Sequence, residues 1–274
     1  MRRILCGLLL WAVVCRFPVA AQDKYNFSQF KSETWDFIKQ PTKWQGDDWL
    51  KLGLSVAGTY LLLKTADQHI SDECFAHPQY LKSAPIKIGK FWGGPFPAPL
   101  LFGIFALHSG LTGNHETKTM AFETAQALTY SVSLTFIIKA AFGRARPKVN
   151  EGVDSFRPFS EKSLFHFNYQ SFPGGHTSAA TAISTILAEH AKPWWLKVAA
   201  YVPAALCLVS RVYENKHWAS DVFFGTFIGY SVGRWLTHQH KKRGTSAGKS
   251  VVQFQPFFSD GTAGLSMAIP FASQ

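Results

Sequence analysis

The stretch "SFPGGHTSAA", Ser171–Ala180, sets two glycines between a proline and a histidine and follows them with small residues. Glycine lets a backbone approach a ligand closely, and the N-terminus of a helix favours anions. The stretch therefore reads as a cradle for a phosphate-sized anion, with backbone N–H groups at Gly174 and Gly175 beside the imidazole of His176. Taken alone, Gly-Gly ahead of a helix is an ordinary turn. The rest of the chain has to decide between the two.

Two further stretches bear on it. "KAAFGRARP" places Lys139 and Arg146 seven residues apart with Arg144 between them, at the end of an apolar segment. "SRVYENKHWASD" holds Ser210, Arg211, His217 and Asp221. His217 and Asp221 are four apart, so on a helix they share a face and the carboxylate can hold an imidazole N–H. Each has a plain structural reading: cations favour a helix C-terminus, and a His–Asp pair can be a simple hydrogen bond. Together they make one anion site of several fixed cations, two histidines and an orienting carboxylate.

The composition is compatible with that chemistry. The chain has 274 residues, 47% of them hydrophobic, and a formal charge of +11. Basic chains meet nucleic acid, anionic membranes or acidic substrates. No nucleic-acid module is visible and the cations are dispersed, apart from Lys241-Lys242-Arg243 just beyond the last apolar segment. No Cys/His cluster has zinc spacing, and neither metal nor cofactor is expected.

Residues 1–21 read as a secretory signal: Arg2 and Arg3, an apolar run from Ile4 to Cys15, and small residues around a cut after Ala21. Cleavage would leave a charge of +8, whereas Arg16 fits an uncleaved anchor. Cys74 and Cys207 are then the cysteines of the mature chain, and Cys207 in "AALCLVS" reads as a small buried hydrophobe rather than half of a disulfide. Residues 22–48 are polar and aromatic, with "FSQFKSETWDFIKQP" as an amphipathic helix ending before Pro41.

Six apolar segments follow, with uncharged runs at Leu52–Leu63, Phe91–Leu107, Thr124–Ile138, Thr177–Ala188, Val198–Ser210 and Val222–Gly233. None reaches the ~20 residues of an ordinary membrane span, and the mean hydropathy is close to zero. Their composition favours helices. Residues 239–274 change character: a basic linker precedes two apolar stretches around Ser259-Asp260-Gly261, the pattern of a β-hairpin.

The three motifs, in the order K-x6-R-P, P-G-G-H and S-R-x5-H-x3-D, resemble those of the type 2 phosphatidic acid phosphatase superfamily. It includes lipid phosphatases, bacterial class A acid phosphatases, glucose-6-phosphatase and vanadium haloperoxidases. The resemblance covers about residues 49–238 and departs at one place, within Pro173-Gly174-Gly175-His176, where a glycine replaces the usual serine of the second motif. It implies an all-α bundle of about six core helices, here with a short hairpin-like tail. It also implies metal-independent hydrolysis of phosphate monoesters, with His217 as nucleophile, Asp221 fixing its tautomer and His176 as acid and then base. Lys139, Arg146, Arg211, Ser210 and the backbone of Gly174 and Gly175 would hold the phosphate oxygens, with Arg144 a secondary candidate. This departure implies a weakened or altered phosphate contact.

The leading expectation is an exported, membrane-associated phosphatase of lipid phosphates such as phosphatidate or an isoprenoid pyrophosphate, its site facing the periplasm. A soluble periplasmic acid phosphatase is the alternative, and a vanadium haloperoxidase the third reading. Topology resists the simplest arrangement. Six full spans after an exported leader would put the motifs in the cytoplasm and Lys241–Arg243 outside, against the positive-inside tendency. A partly embedded bundle avoids this.

Overall fold

The structure, a computed structural model, describes residues 25–247, 253–259 and 262–268. The secretory signal read at 1–21 lies outside the described residues. Residues 25–238 form one unit, and the elements within it are helical.

The helices begin and end where local chemistry requires. α1 (Phe27–Ile38) starts on Asn26, whose Oδ1 accepts the Gln29 N–H at 2.9 Å, and it stops ahead of Pro41 as the sequence implies. α2 (Gly46–Thr65) opens with a capping box between Gln45 and Asp48. α3 (Asp67–Ala76), α4 (Ala84–Trp92) and α5 (Pro97–Thr112) follow. α6 (His115–Phe142) is capped by Asn114 and closed by Gly143 at φ +59°. A Cβ on Gly143 would also fall 2.0 Å from the Arg157 carbonyl oxygen, so only glycine fits there. Then come α7 (Glu161–Phe165), α8 (Gly175–His190), α9 (Trp194–Ala199), α10 (Val202–Tyr213) and α11 (Ala219–Ala247).

The expected count of about six helices does not hold. The Phe91–Leu107 segment is broken at Gly93–Phe96 and bends by 64° between α4 and α5, where Pro97 lacks the N–H to continue the ladder. The Val198–Ser210 segment is divided between α9 and α10, with a proline again in the first turn of the second helix. Short helices such as α3 and α7 lie outside the apolar runs altogether.

The core joins α6, α8 and α11 through Ala127, Tyr130, Ile186, Phe224, Ile228 and Leu236. α11 presents Gly225, Gly229 and Gly233 at intervals of four to the backbone of α8. A Cβ on Gly225 would lie 2.4 Å from the Gly174 carbonyl oxygen, and one on Gly229 2.2 Å from that of Ser178. This contact sets the start of α8 directly against the start of α11, which brings two of the three motifs together.

The expectation of spans too short to cross a bilayer is also corrected. α6 with its continuation to Val149 and the stretch Trp194–Tyr213 are each long and apolar enough to cross, and the bent α4–α5 pair adds a third candidate. Counting uncharged runs missed them because charged residues turn inward. Glu123 on α6 is buried against His190 at 2.8 Å, and Lys139 reaches loop carbonyls, while Val132, Phe136 and Ile137 remain exposed on the outer face. Cys74 and Cys207 are free and buried, Cys207 in a small cluster with Ala180 and Ala204.

In the C-terminal segment, Gln253–Ser259 (β1) and Thr262–Ala268 (β2) pair antiparallel with Ser259 opposite Thr262.

Candidate active site

The end of α6, the starts of α8 and α11 and the end of α10 converge on one cleft. His217 lies just before α11, not on it, and its side chain is buried. Its Nδ1 meets the Ser171 carbonyl oxygen at 2.7 Å. A carbonyl oxygen only accepts, so Nδ1 carries the proton and Nε2 keeps its lone pair.

The direct His217–Asp221 hydrogen bond expected from an i, i+4 spacing is absent. Nδ1 is 3.8 Å from Asp221 Oδ2. The two residues share no helical face because the helix starts at Ala219, so Asp221 lies in its first turn and accepts the Trp218 N–H at 2.9 Å as a cap. Ser171 joins the two instead, since its Oγ donates to Asp221 Oδ2 at 2.5 Å while its carbonyl takes the imidazole proton.

Behind Asp221 lies a wholly buried array. Arg144 donates from Nη1 to Asp221 Oδ1 at 2.6 Å and to Ser220 Oγ at 2.8 Å. From Nη2 it donates to Asp67 Oδ2 and the Val153 carbonyl, both at 2.8 Å, and from Nε to Val153 at 3.1 Å. All five of its donors are occupied, so Arg144 is not the secondary phosphate ligand the sequence offered. Asp67 accepts on both oxygens, from the Ser220 N–H at 2.8 Å and the Ser220 hydroxyl at 2.5 Å as well as from Arg144. Two carboxylates share one guanidinium, which leaves a net negative charge behind His217.

The other cations divide by role. Lys139 donates to the carbonyls of Gln170 and Pro173, each at 2.6 Å, and clamps the turn that leads into α8. The Ser210 hydroxyl is bonded to the Cys207 carbonyl at 2.8 Å inside its own helix. Arg211 is buried, with Nη2 3.3 Å from Glu214 Oε2. Glu214 also meets Lys90 and Lys216, each at 3.2 Å. Arg146 stands apart: its backbone N–H is bonded to Asn168, but its Nε is buried with no acceptor. A buried, unpaired guanidinium donor costs free energy unless a ligand accepts from it.

The two glycines also divide. The Gly174 N–H donates to the Asp221 carbonyl at 2.9 Å, and a Cβ there would fall 2.5 Å from Thr177 Oγ1, so Gly174 serves the α8–α11 contact. Gly175 opens α8, where the first N–H groups have no intrahelical acceptor. A Cβ on Gly175 would find only Thr135 Oγ1 at 3.4 Å and Lys139 Cε at 3.5 Å, which a side chain tolerates.

His176, in the first turn of α8, has its ring centroid 6.2 Å from that of His217. Burial in the surrounding protein and the charges of His217, Arg211, Lys139 and Arg146 press its pKa down to about 3. Its ring nevertheless remains open to the cleft. Burial likewise lowers His217, to about 4, with Lys139 and Arg146 adding to the effect and Asp221 opposing it. Burial would raise the Asp221 carboxyl, but Arg144, His217 and Ser171 hold it far below the ordinary range. Both imidazoles are thus neutral at pH 7. Among the described residues no group of three or more His, Cys, Asp or Glu is placed to hold a metal ion.

Sequence reasoning missed Ser171, Asp67, Ser220 and Glu214. Ser171 stood inside the opening motif, but its dual use of carbonyl and hydroxyl depends on the turn that Lys139 holds. Asp67 is 77 residues from Arg144 and carried no local signal.

A helical bundle that gathers buried cations and two histidines at the start of a helix is an arrangement suited to a phosphate-sized anion. Residues 121–245 match the model of the PAP2 superfamily. It is 42% identical over 104 residues to a lipid A 1-phosphatase of Porphyromonas gingivalis, a match covering 36% of this chain. The chain spans about a fifth of the length of that relative, 20%. In fold it resembles the crystal structure of a transmembrane PAP2-type phosphatidylglycerolphosphate phosphatase from Bacillus subtilis. The TM-score is 0.50 at 20% identity, covering 71% of this chain and 94% of that one.

Proposed function

We propose that this protein is a membrane-associated phosphatase that hydrolyses phosphate monoesters of lipids through a phosphohistidine at His217. The observation that carries the mechanism is the Nδ1–Ser171 hydrogen bond, because it leaves Nε2 as the free nucleophilic nitrogen in a cleft lined with cations. Nε2 attacks phosphorus and the P–O bond to the leaving alcohol breaks. The ring, now a charged phosphoimidazolium, keeps its Nδ1 proton on Ser171 and is stabilised by the net negative charge of the Asp67–Arg144–Asp221 array. Arg146, Arg211 and the first N–H groups of α8 hold the equatorial oxygens.

His176 completes the cycle. The neutral ring takes up a proton when a phosphate anion enters and offsets the surrounding cations, and it then gives that proton to the departing oxygen. The same ring, neutral again, removes a proton from the water that cleaves the P–N bond.

The apolar outer faces of the candidate spans support a substrate held in a bilayer. The site lies on the exported side in this reading, as the secretory signal read at residues 1–21 implies. An assay of purified protein with phosphatidate in mixed micelles and with an aryl phosphate, each in excess EDTA, tests it. Hydrolysis of both with preference for the lipid is expected. Activity lost in EDTA and restored by magnesium overturns the mechanism.

A further inference from the structure

The segment between α6 and α8 carries three of the most exposed aromatic side chains in the described residues: Phe159 at 77%, Phe165 at 75% and Phe167 at 77%. They fall within nine residues, and Leu164 beside them is also exposed. Water-facing phenylalanines this dense mark an interaction site. None of them takes part in the chemistry above.

The backbone that displays them is fixed. The Phe159 N–H donates to the Ala140 carbonyl at 3.1 Å, and the Arg157 N–H to that of Gly143 at 3.1 Å. Phe159 adopts φ +51°, a conformation rare for a bulky residue, which turns its ring outward at a cost in backbone energy. Ser163 is buried, and Gln170 Nε2 donates to the carbonyls of Ser163 and Leu164 at 3.0 and 3.1 Å. Arg157 pairs with Glu151 and lies over the Tyr169 ring, 4.7 Å from its centroid.

The anchors locate the segment. Ala140 and Gly143 lie at the foot of α6, whose exposed Phe136, Ile137 and Phe142 form the outer face of a candidate span. Asp154 pairs with Lys64 at 2.8 Å, at the end of α2 below its exposed Tyr60 and Leu61. The segment that carries the three phenylalanines is thus anchored where the exposed apolar residues of two helices end. Aromatic side chains at that level sit among lipid headgroups. The segment is also bound to the site: Asn168, next to Phe167, accepts the Arg146 N–H at 2.8 Å, and Lys139 holds the Gln170 carbonyl.

We infer that Phe159, Phe165 and Phe167 form a membrane-interface wedge that seats the cleft at the level of the bilayer phosphates. The occupant is the bilayer surface, not another protein. The inference rests on the lipid reading of the function for its purpose, but its location can be tested without activity.

Phe165→Cys, in a chain whose four native cysteines are replaced by alanine, is labelled with an environment-sensitive fluorophore and reconstituted in vesicles of neutral and anionic phospholipid. Blue-shifted emission, quenched more by nitroxide lipids labelled near the headgroup than by those labelled near the chain end, is expected. A label open to a water-soluble quencher and untouched by nitroxide lipids overturns the wedge. In the native-cysteine chain, Phe159→Ser/Phe165→Ser/Phe167→Ser should raise KM for phosphatidate in vesicles by about fivefold or more and leave aryl phosphate hydrolysis within about twofold. An equal loss on both substrates, or on neither, overturns it. If the parent hydrolyses neither substrate, the proposed function fails while the quenching result still decides the wedge.

Discussion

Ser171 stands between His217 and Asp221: its carbonyl takes the imidazole proton at 2.7 Å and its hydroxyl holds the carboxylate at 2.5 Å. The His217 ring is therefore oriented by a backbone atom, and the carboxylate acts one step removed. Ser171→Ala keeps the carbonyl and loses only the hydroxyl. A buried hydrogen bond to a charged group contributes about 1.5–3 kcal/mol, so kcat should fall by roughly 10- to 100-fold. Asp221→Asn should cost more, since it also removes the charge behind the proposed phosphoimidazolium. Steady-state kinetics of the two variants give the comparison, and an S171A rate equal to the parent's contradicts the bridging role.

Arg144 and Arg146 are two residues apart and should fail in different ways. Arg144→Ala leaves two buried carboxylates unpaired, a loss of about 3–5 kcal/mol, and Arg144→Lys cannot fill five donor positions. Arg146→Ala removes an unpaired donor, so the fold should survive with thermal stability near the parent's while KM for phosphate esters rises. Thermal unfolding followed by kinetics separates the two.

Gly174 and Gly175 are adjacent and should also separate. Gly174→Ala forces a Cβ against Thr177 Oγ1 and the Asp221 carbonyl, 2.5 and 3.1 Å away, and overpacking of this kind costs about 1–3 kcal/mol. Gly175→Ser meets nothing closer than 3.4 Å. It should fold normally and lower the inhibition constant of inorganic phosphate or vanadate, since a hydroxyl then joins the anion cradle.

The histidines set the pH behaviour. Their folded-state pKa values, about 4 for His217 and about 3 for His176, lie below the ordinary value of 6.5. Between those limits the unfolded chain binds more protons than the folded one, so stability falls as pH drops from about 6.5 towards 4. His217→Asn should flatten that slope in chemical or thermal unfolding. An anion in the cleft favours the charged ring, so phosphate binding near pH 6 should take up a proton. Calorimetry in buffers of different ionisation enthalpy would detect it, and proton release on binding would contradict the acid role of His176.

The sequence was informative wherever chemistry was local. The three motifs converge on one cleft, α1 ends ahead of Pro41, and Gly174 does mark the start of a helix. It misled where the outcome depended on long-range packing. Arg144 looked like a ligand until Asp67, 77 residues away, claimed its second edge. His217 and Asp221 looked helical because their spacing is four, yet the helix starts between them. The spans looked short because a linear count treats an inward-facing Glu123 like a charge exposed to lipid.

The proposed mechanism places the phosphoryl group on His217. Rapid quenching of the purified protein with radiolabelled substrate, followed by mapping of the acid-labile phosphate, tests it most directly. The label should map to His217, vanish in His217→Ala, and accumulate in His176→Ala with a substrate of good leaving group, because hydrolysis of the intermediate then lacks its base. Label on His176, or phosphoenzyme formed by the His217→Ala protein, would contradict the assignment.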